Sequence, residues 1–189
     1  FNSCVSFKPF QAPQGTDDFY ESKAQITVTS PDMSLNFSAT IQFTLSDSFH
    51  IEVKGPFGIS AGDVFIIGER FIYINKLERI VLSGENSDGL LESVFQIPIE
   101  PEVLSKLPVL PQLIKEQTTA GQNYAGFRNV KENNKQQVIG ADFIKNENKI
   151  NFIFTDFRKR NHKYFTHKIV LKNEQTKQYM QISFKDIKK

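Results

Sequence analysis

Strict alternation of apolar and polar residues runs through Leu35-Asn36-Phe37-Ser38-Ala39-Thr40-Ile41-Gln42-Phe43-Thr44-Leu45. Neighbouring side chains on a β-strand point to opposite faces, so one face of this stretch is apolar and the other is polar. The same alternation returns after Asp47, where Phe49 and Ile51 take the apolar positions. A period of two with one wet face is typical of an antiparallel sheet. The stretch therefore predicts a pair of amphipathic antiparallel strands.

Further strand patterns lie on both sides of this pair. Apolar residues between turn signals predict strands over 20–29, 64–67, 71–75, 79–83, 137–145, 149–156, 164–172 and 177–185. Helical signals are confined to the middle: a helix over 87–96, a second that begins at Pro101 and ends before Pro108, and a further turn over 111–117. Residues 118–135 are polar, which predicts a long loop or a weak strand. Because no helix alternates with the strands, the pattern argues against a βαβ architecture.

The two short helices are too small to cover so large a sheet. Their apolar stripes consist of Leu90, Leu91 and Val94 in the first helix and of Leu104 and Leu107 in the second. A sheet that curls into a half-barrel buries its own apolar face, and the helices then act as a lid. The predicted fold class is mainly β (α+β), an antiparallel half-open β-barrel with a short helical lid. An apolar cavity is expected inside it, lined by Phe37, Ile41, Phe43, Phe49, Ile51, Phe152 and Phe154.

The composition favours an apolar interior. The 189 residues include 18 Phe and no Trp, so apolar volume is supplied by rings that need no hydrogen bond. No apolar run approaches the roughly 18 residues of a membrane-spanning helix. The net charge of +2 hides a gradient: residues 1–100 carry six Lys/Arg against 13 Asp/Glu, and residues 101–189 carry 17 against eight. This asymmetry indicates either an anionic partner for the C-terminal half or two halves that interleave in space.

The start of the chain differs from the rest. Residues 1–18 are rich in Pro, Gly and polar residues, which predicts a tether before a single β domain over 19–189. Cys4 is the only cysteine and follows the small residue Ser3, as at the cleavage point of a bacterial lipoprotein signal. One cysteine can form neither an intramolecular disulfide nor a metal cluster. Cys4 is therefore predicted to carry a lipid anchor, and the alternative is a lone thiol in a tail.

A hydrolase is the enzymatic alternative. Gly58-Ile59-Ser60-Ala61-Gly62 matches the G-x-S-x-G pattern, and Asp142 and either His162 or His167 follow in the order of a hydrolase triad. That motif acts on a strand-to-helix turn above a parallel sheet, whereas here it joins two strands among antiparallel ones. The glycines are better explained as turn residues. No His pair has the spacing of metal ligands on a helix, so the sequence predicts no enzyme, no metal site and no cofactor.

The segment Arg158-Lys159-Arg160-Asn161-His162-Lys163 is predicted to form a basic loop between two strands. Such a loop is either a solvated hairpin tip or a contact with anionic lipid headgroups, which attract each Lys or Arg by about 1 kcal/mol. Nucleic acid is not an expected partner, because the neighbouring aromatic residues belong to the strands. Arg158, Lys159 and Arg160 are therefore candidates for membrane or partner contact.

Residues 20–115 resemble the lipoprotein-carrier superfamily of the periplasmic carrier LolA and its outer-membrane receptor LolB. The resemblance rests on an amphipathic strand pair, the segment Val53-Lys54-Gly55-Pro56-Phe57-Gly58-Ile59, a following hairpin and a Leu-rich helical patch over 90–107. It implies a half-barrel that holds acyl chains under a helical lid. LolB-like receptors also begin at a lipidated Cys, which Cys4 matches, and they carry a protruding apolar loop, for which Phe57 and Ile59 are the nearest candidates.

The hypothesis from the sequence is a lipid-anchored protein on the periplasmic face of the bacterial outer membrane. It would bind lipid or lipoprotein acyl chains in the apolar half-barrel and could contact other envelope proteins. The alternative is a non-catalytic structural or accessory subunit of an envelope complex, with the same fold and a cavity filled by its own side chains.

Overall fold

The antiparallel sheet forms in the structure, a computed structural model that describes residues 19–45, 48–68, 70–85, 99–145, 148–160 and 162–189. Its strands are β1 (Phe19–Ser30), β2 (Met33–Thr44), β3 (Ser48–Lys54), β4 (Ser60–Ile67), β5 (Arg70–Asn75), β6 (Ile80–Glu85), β7 (Phe127–Glu132), β8 (Val138–Lys145), β9 (Asn148–Arg160), β10 (Lys163–Asn173) and β11 (Gln178–Phe184). Their order is β6-β5-β4-β3-β2-β1-β11-β10-β9-β8-β7. Since β6 and β7 are edges, the sheet is not closed into a barrel. The predicted class, a half-open antiparallel barrel with a helical lid, is confirmed.

The β1–β2 hairpin shows how far alternation determines burial. Along β2, the apolar positions Ala39, Ile41 and Phe43 are each at most 2% exposed. Leu35 lies on the same face of β2, yet it is 47% exposed. The period of two sets the direction of a side chain, whereas its burial depends on what packs above it. The inner face is therefore apolar over its whole length but covered over only part of it.

The described helices are α1 (Pro101–Lys106) and α2 (Leu110–Thr119). α1 forms as predicted, with a proline in its first turn, where a missing N–H is no loss. The segment predicted as a turn over 111–117 is instead part of a ten-residue helix, because Pro111 also lies in a first turn. Residues 118–135 hold the end of α2 and β7, so the weak-strand alternative is correct. None of the described helices is both long enough and apolar enough to span a bilayer.

α1 and α2 cover one end of the inner face of the sheet. Leu107 at the end of α1 and Leu110 and Ile114 of α2 are at most 1% exposed. Lys106 Nζ donates a 2.8 Å hydrogen bond to the backbone oxygen of Leu45, which joins α1 to the end of β2. The helices thus bury the interior near this end. The predicted helix over 87–96 lies outside the described residues.

β9 ends four residues beyond the predicted end of the strand at residue 156. It pairs with β10 up to the pair Arg160 and Lys163. Arg158, Lys159 and Arg160 are therefore strand residues, and their prediction as part of a loop is wrong. Asp156 adopts a left-handed backbone conformation within β9, at φ +54°. The alternation of apolar residues stops near this point, although hydrogen bonding of the backbone continues.

Candidate functional site

One row of paired residues across the inner face forms a closed core. Tyr20, Phe43, Phe49, Ile66 and Phe71 lie opposite one another on β1 to β5. Each of these side chains is at most 2% exposed. The ring of Tyr20 stacks on that of Phe43 at 5.4 Å between centroids. Along this row, the described side chains of the inner face are fully covered.

The next row of the inner face opens toward the edge strand β6. Ile51 and Val64 are buried at 2% and 1%. Tyr73, opposite Val64, is half-buried, and Leu82, opposite Tyr73, is 37% exposed. The exposed fraction of the side chain increases from Val64 to Tyr73 and again from Tyr73 to Leu82. The apolar surface of β5 and β6 therefore continues the core into solvent.

The inner face opens in a second direction, toward the turn of the β1–β2 hairpin. Ile26 is 3% exposed, and Phe37 opposite it is only half-buried. Val28 and Leu35 form the next pair, half-buried and 47% exposed respectively. An apolar surface that the described residues leave uncovered is typical of a binding groove. Val53, opposite Ala39 on the same face, is also half-buried. We call this surface the open wall, and it comprises Val28, Leu35, Phe37, Val53, Tyr73 and Leu82.

The residues predicted to line a cavity divide into two groups. Phe37 lies on the open wall. The remaining six are at most 2% exposed: Ile41, Phe43, Phe49, Ile51, Phe152 and Phe154. In the C-terminal half, the ring of Phe152 lies 5.1 Å from that of Phe127 and 6.0 Å from that of Phe154. These rings pack against one another, so this part of the interior is filled by the side chains of the protein.

The predicted lid residues are described only in part. Leu104 and Leu107 are 5% and 1% exposed, and they lie in and just after α1. Leu90, Leu91 and Val94 lie outside the described residues, as does Cys4. Sequence patterns did not single out Tyr73 and Leu82. Both lie in short apolar runs, 71–74 and 80–82, and such a run does not show which face of a strand a residue takes.

Phe57 is the most exposed large apolar side chain that the structure describes. It lies in a 3-10 turn, Pro56–Gly58, between β3 and β4, and is 101% exposed. Its backbone is left-handed, at φ +61° and ψ +16°, which is strained for a residue with a large side chain. Ile59 beside it is 64% exposed. The turn therefore presents two apolar side chains to solvent.

The arginines of the basic segment are engaged with the C-terminal tail. Arg158 Nη2 lies 2.7 Å from Asp156 Oδ2, and Arg158 Nη1 donates to the backbone oxygen of Lys185 at 3.2 Å. The hydrogen bond from Arg158 lowers the pKa of Asp156. Arg160 donates to the backbone oxygen of Ile187. Lys159 differs, since its Nζ lies 5.8 Å above the ring of the exposed Tyr164.

The residues of the G-x-S-x-G hypothesis are not brought together. Ser60 begins β4, which pairs antiparallel with β3, and its Oγ accepts a 2.6 Å hydrogen bond from Lys76 Nζ. Asp142 is on β8, and six strands of the sheet lie between β8 and β4. Asp142 instead accepts hydrogen bonds from Asn129 and Asn151. No triad forms among the described residues.

A polar network on the outer face was missed by the sequence analysis. His50 Nε2 lies 2.9 Å from Asp63 Oδ1, and Lys76 Nζ lies 2.5 Å from Asp63 Oδ2. The His50 ring stacks on Phe65 at 4.2 Å between centroids. Asp63 is only 6% exposed, so Lys76 and the hydrogen bond with His50 compensate a nearly buried charge. No group of three His, Cys, Asp or Glu residues in the described parts of the chain is placed to hold a metal ion.

Comparison with solved structures identifies the fold. A domain described as an outer membrane lipoprotein-sorting protein from Vibrio parahaemolyticus superposes with a TM-score of 0.63 at 8% identity, over 90% of this chain and 85% of that one. A LolA superfamily protein from Nitrosomonas europaea gives 0.59 at 7% identity, over 90% and 86%. A DUF1329 family protein from Desulfovibrio piger gives 0.58 at 10% identity, over 92% and 86%. No family model and no curated sequence matches the chain.

Proposed function

We propose that this chain, whose fold is that of the LolA superfamily, binds lipid or lipoprotein acyl chains on its open wall. The observation that carries the proposal is the gradual loss of burial along paired residues of one apolar face. Val64 is 1% exposed, Tyr73 is half-buried and Leu82 is 37% exposed, although all three share a row. A linear apolar ligand lying on this row would extend the core.

The chemistry of the wall suits an acyl chain better than a polar ligand. Its side chains are aliphatic or phenyl, with the Tyr73 hydroxyl as the one polar group among the six. Burial of each methylene of a ligand contributes about 0.8 kcal/mol, so several methylenes along the wall give useful affinity without a specific polar contact. The proposal is therefore of a binding protein rather than an enzyme.

The apolar turn extends the proposal to membrane contact. Phe57 and Ile59 are exposed beside each other in the β3–β4 connection. An exposed ring of this kind can enter the interface of a bilayer, and a lysine such as Lys159 adds attraction to anionic headgroups. With an anchor at Cys4, these contacts would hold the protein at the periplasmic face of the outer membrane, among other envelope proteins.

A structural or accessory subunit remains the second candidate, and a specific observation favours it. Six of the seven residues predicted to line a cavity are fully buried against protein atoms, and only Phe37 is open. In that case the open wall would pack against another protein of the envelope. Native mass spectrometry of protein purified from its own membrane separates the two. Retained lipid mass supports the carrier, and a lipid-free complex with a protein supports the subunit.

A further inference from the structure

A surface pocket lies apart from the open wall, where α2, the β7–β8 turn and the β9–β10 hairpin meet. Its volume is about 230 Å³. Pro111, Val138, Phe157 and Tyr164 form the apolar part of its lining. Val138 is 1% exposed and Phe157 is half-buried, so they lie deep, whereas Tyr164 is 47% exposed. The pocket thus offers aromatic and aliphatic surface to a group about the size of one side chain.

The charged groups in the described lining of this pocket are all lysines. Lys115 Nζ donates to the backbone oxygen of Gln136 and lies 3.6 Å from Glu132 Oε2. Lys135 is exposed in the β7–β8 turn. Lys159 Nζ, just outside, lies 5.8 Å from the centre of the Tyr164 ring. Lysines at the rim, one of them paired with Glu132, therefore border an apolar centre.

We propose that this pocket binds an acidic peptide segment of a partner protein. One apolar side chain of the peptide would pack against Phe157 and Tyr164, and flanking carboxylates would lie beside Lys115 and Lys135. A central apolar anchor within a charged rim is the usual arrangement of a peptide or protein contact, in which the anchor supplies affinity and the rim supplies selectivity. The volume suits one side chain and is small for a lipid tail.

An amide at the pocket fits a peptide backbone as well. Gln137 Oε1 accepts a 3.0 Å hydrogen bond from Asn133 Nδ2, which fixes the amide and leaves its NH₂ group to donate to a peptide carbonyl. Gln137 lines the pocket beside Val138. The site therefore combines an apolar surface, cations and a hydrogen-bond donor. None of these residues belongs to the open wall, so the inference does not depend on acyl-chain binding.

The test is fluorescence anisotropy with the full chain and two short labelled peptides. One carries a single Phe flanked by aspartates, and the other has the aspartates replaced by asparagines. We expect the acidic peptide to bind more tightly, and added salt to remove the difference. Tyr164→Ala and Lys135→Glu should each weaken binding of the acidic peptide about tenfold. Lys172→Glu makes the same charge change at an exposed position far along β10 and should leave binding unchanged.

Three results would overturn the proposal. If the two peptides bind equally well, the lysines do not recognise the carboxylates of the acidic peptide. If Lys172→Glu and Lys135→Glu weaken peptide binding equally, the weaker binding arises from the net charge of the protein and not from the pocket. Saturable binding of phosphatidylglycerol vesicles that depends on Tyr164 and Lys135, with no binding of either peptide, would make the site a lipid-headgroup contact instead.

Discussion

His50 Nε2 and Asp63 Oδ1 lie 2.9 Å apart on the outer face of the sheet, across the β3–β4 pair. Lys76 contacts the other oxygen of the same carboxylate. Because Asp63 is almost buried, its charge and these hydrogen bonds depend on each other. The network joins β3 and β4 to the β5–β6 turn, and so supports the strands that carry part of the open wall.

Asp63→Asn tests this support. The amide keeps the shape of the carboxylate but loses the negative charge that contacts Lys76 and hydrogen-bonds with His50. We expect the free energy of unfolding to fall by about 1–3 kcal/mol in urea titrations, as for other disrupted buried polar contacts. Asp32→Asn, at the exposed β1–β2 turn, is the control and should change stability by less than about 0.5 kcal/mol. Equal stability of Asp63→Asn and the parent would show that the network contributes nothing to folding.

Asp142 predicts a dependence of stability on pH. Its burial opposes ionisation, but hydrogen bonds from Asn129, Lys149 and Asn151 outweigh that effect and lower its pKa. Because the pKa is lower in the folded state, this group stabilises the protein above its unfolded pKa of about 3.9, and the contribution is lost as the pH falls through the folded value. The free energy of unfolding of Asp142→Asn should therefore decline less than that of the parent between about pH 6 and pH 3. Parallel curves would contradict this assignment.

Phe57 allows stability and membrane contact to be separated. Asn tolerates a left-handed backbone better than Phe, so Phe57→Asn should leave the melting temperature unchanged or slightly raised. The same variant should bind phospholipid vesicles more weakly, because it removes the exposed ring. Leu77→Asn, at a side chain 73% exposed in the β5–β6 turn, is the matched control. If both variants keep the vesicle binding of the parent, the turn is not a membrane contact.

Arg160 and Lys159 are neighbours at the end of β9, and their contacts predict that Arg160, but not Lys159, holds the C-terminal tail. Arg160 donates to the backbone oxygen of Ile187, next to Lys188, whose amide N donates to the backbone oxygen of Glu21 at 2.7 Å. Arg160→Ser should therefore speed hydrogen exchange of the Lys188 amide, whereas Lys159→Ser should not. Exchange rates at Lys188 measured by NMR for both variants decide this. Equal rates would mean that Arg160 does not hold the tail.

Much of the fold follows from local patterns. The alternation over 35–45 predicts both β2 and its inner face, because the direction of a strand side chain is set by the backbone alone. The extension of β9 to Arg160 was missed because its last residues are charged, and a hydrogen-bonded strand end needs no apolar residue. α2 was underestimated because a proline in a first turn resembles a proline that interrupts a helix.

The site was less predictable than the fold. Phe37 and Phe43 occupy equivalent positions in the pattern, yet one is open and the other is 0% exposed. The difference arises because residues distant in sequence, among those that the structure describes, pack over Phe43 and not over Phe37. A pattern of neighbouring residues in the sequence contains no information about such packing. The contact of His50 with Asp63 likewise needs the register of β3 and β4, and a register cannot be derived from composition.

The most direct test of the central proposal is displacement of a fluorescent fatty-acid probe by an unlabelled fatty acid. Leu35→Gln changes the open wall, and Ile67→Gln makes a comparable change at a side chain of similar exposure, 49% against 47%, on the opposite face of the sheet. The account predicts that the parent and Ile67→Gln bind the probe equally and that Leu35→Gln binds it about tenfold more weakly. Equal affinity of all three proteins, or no binding by the parent, would contradict acyl-chain binding on the wall.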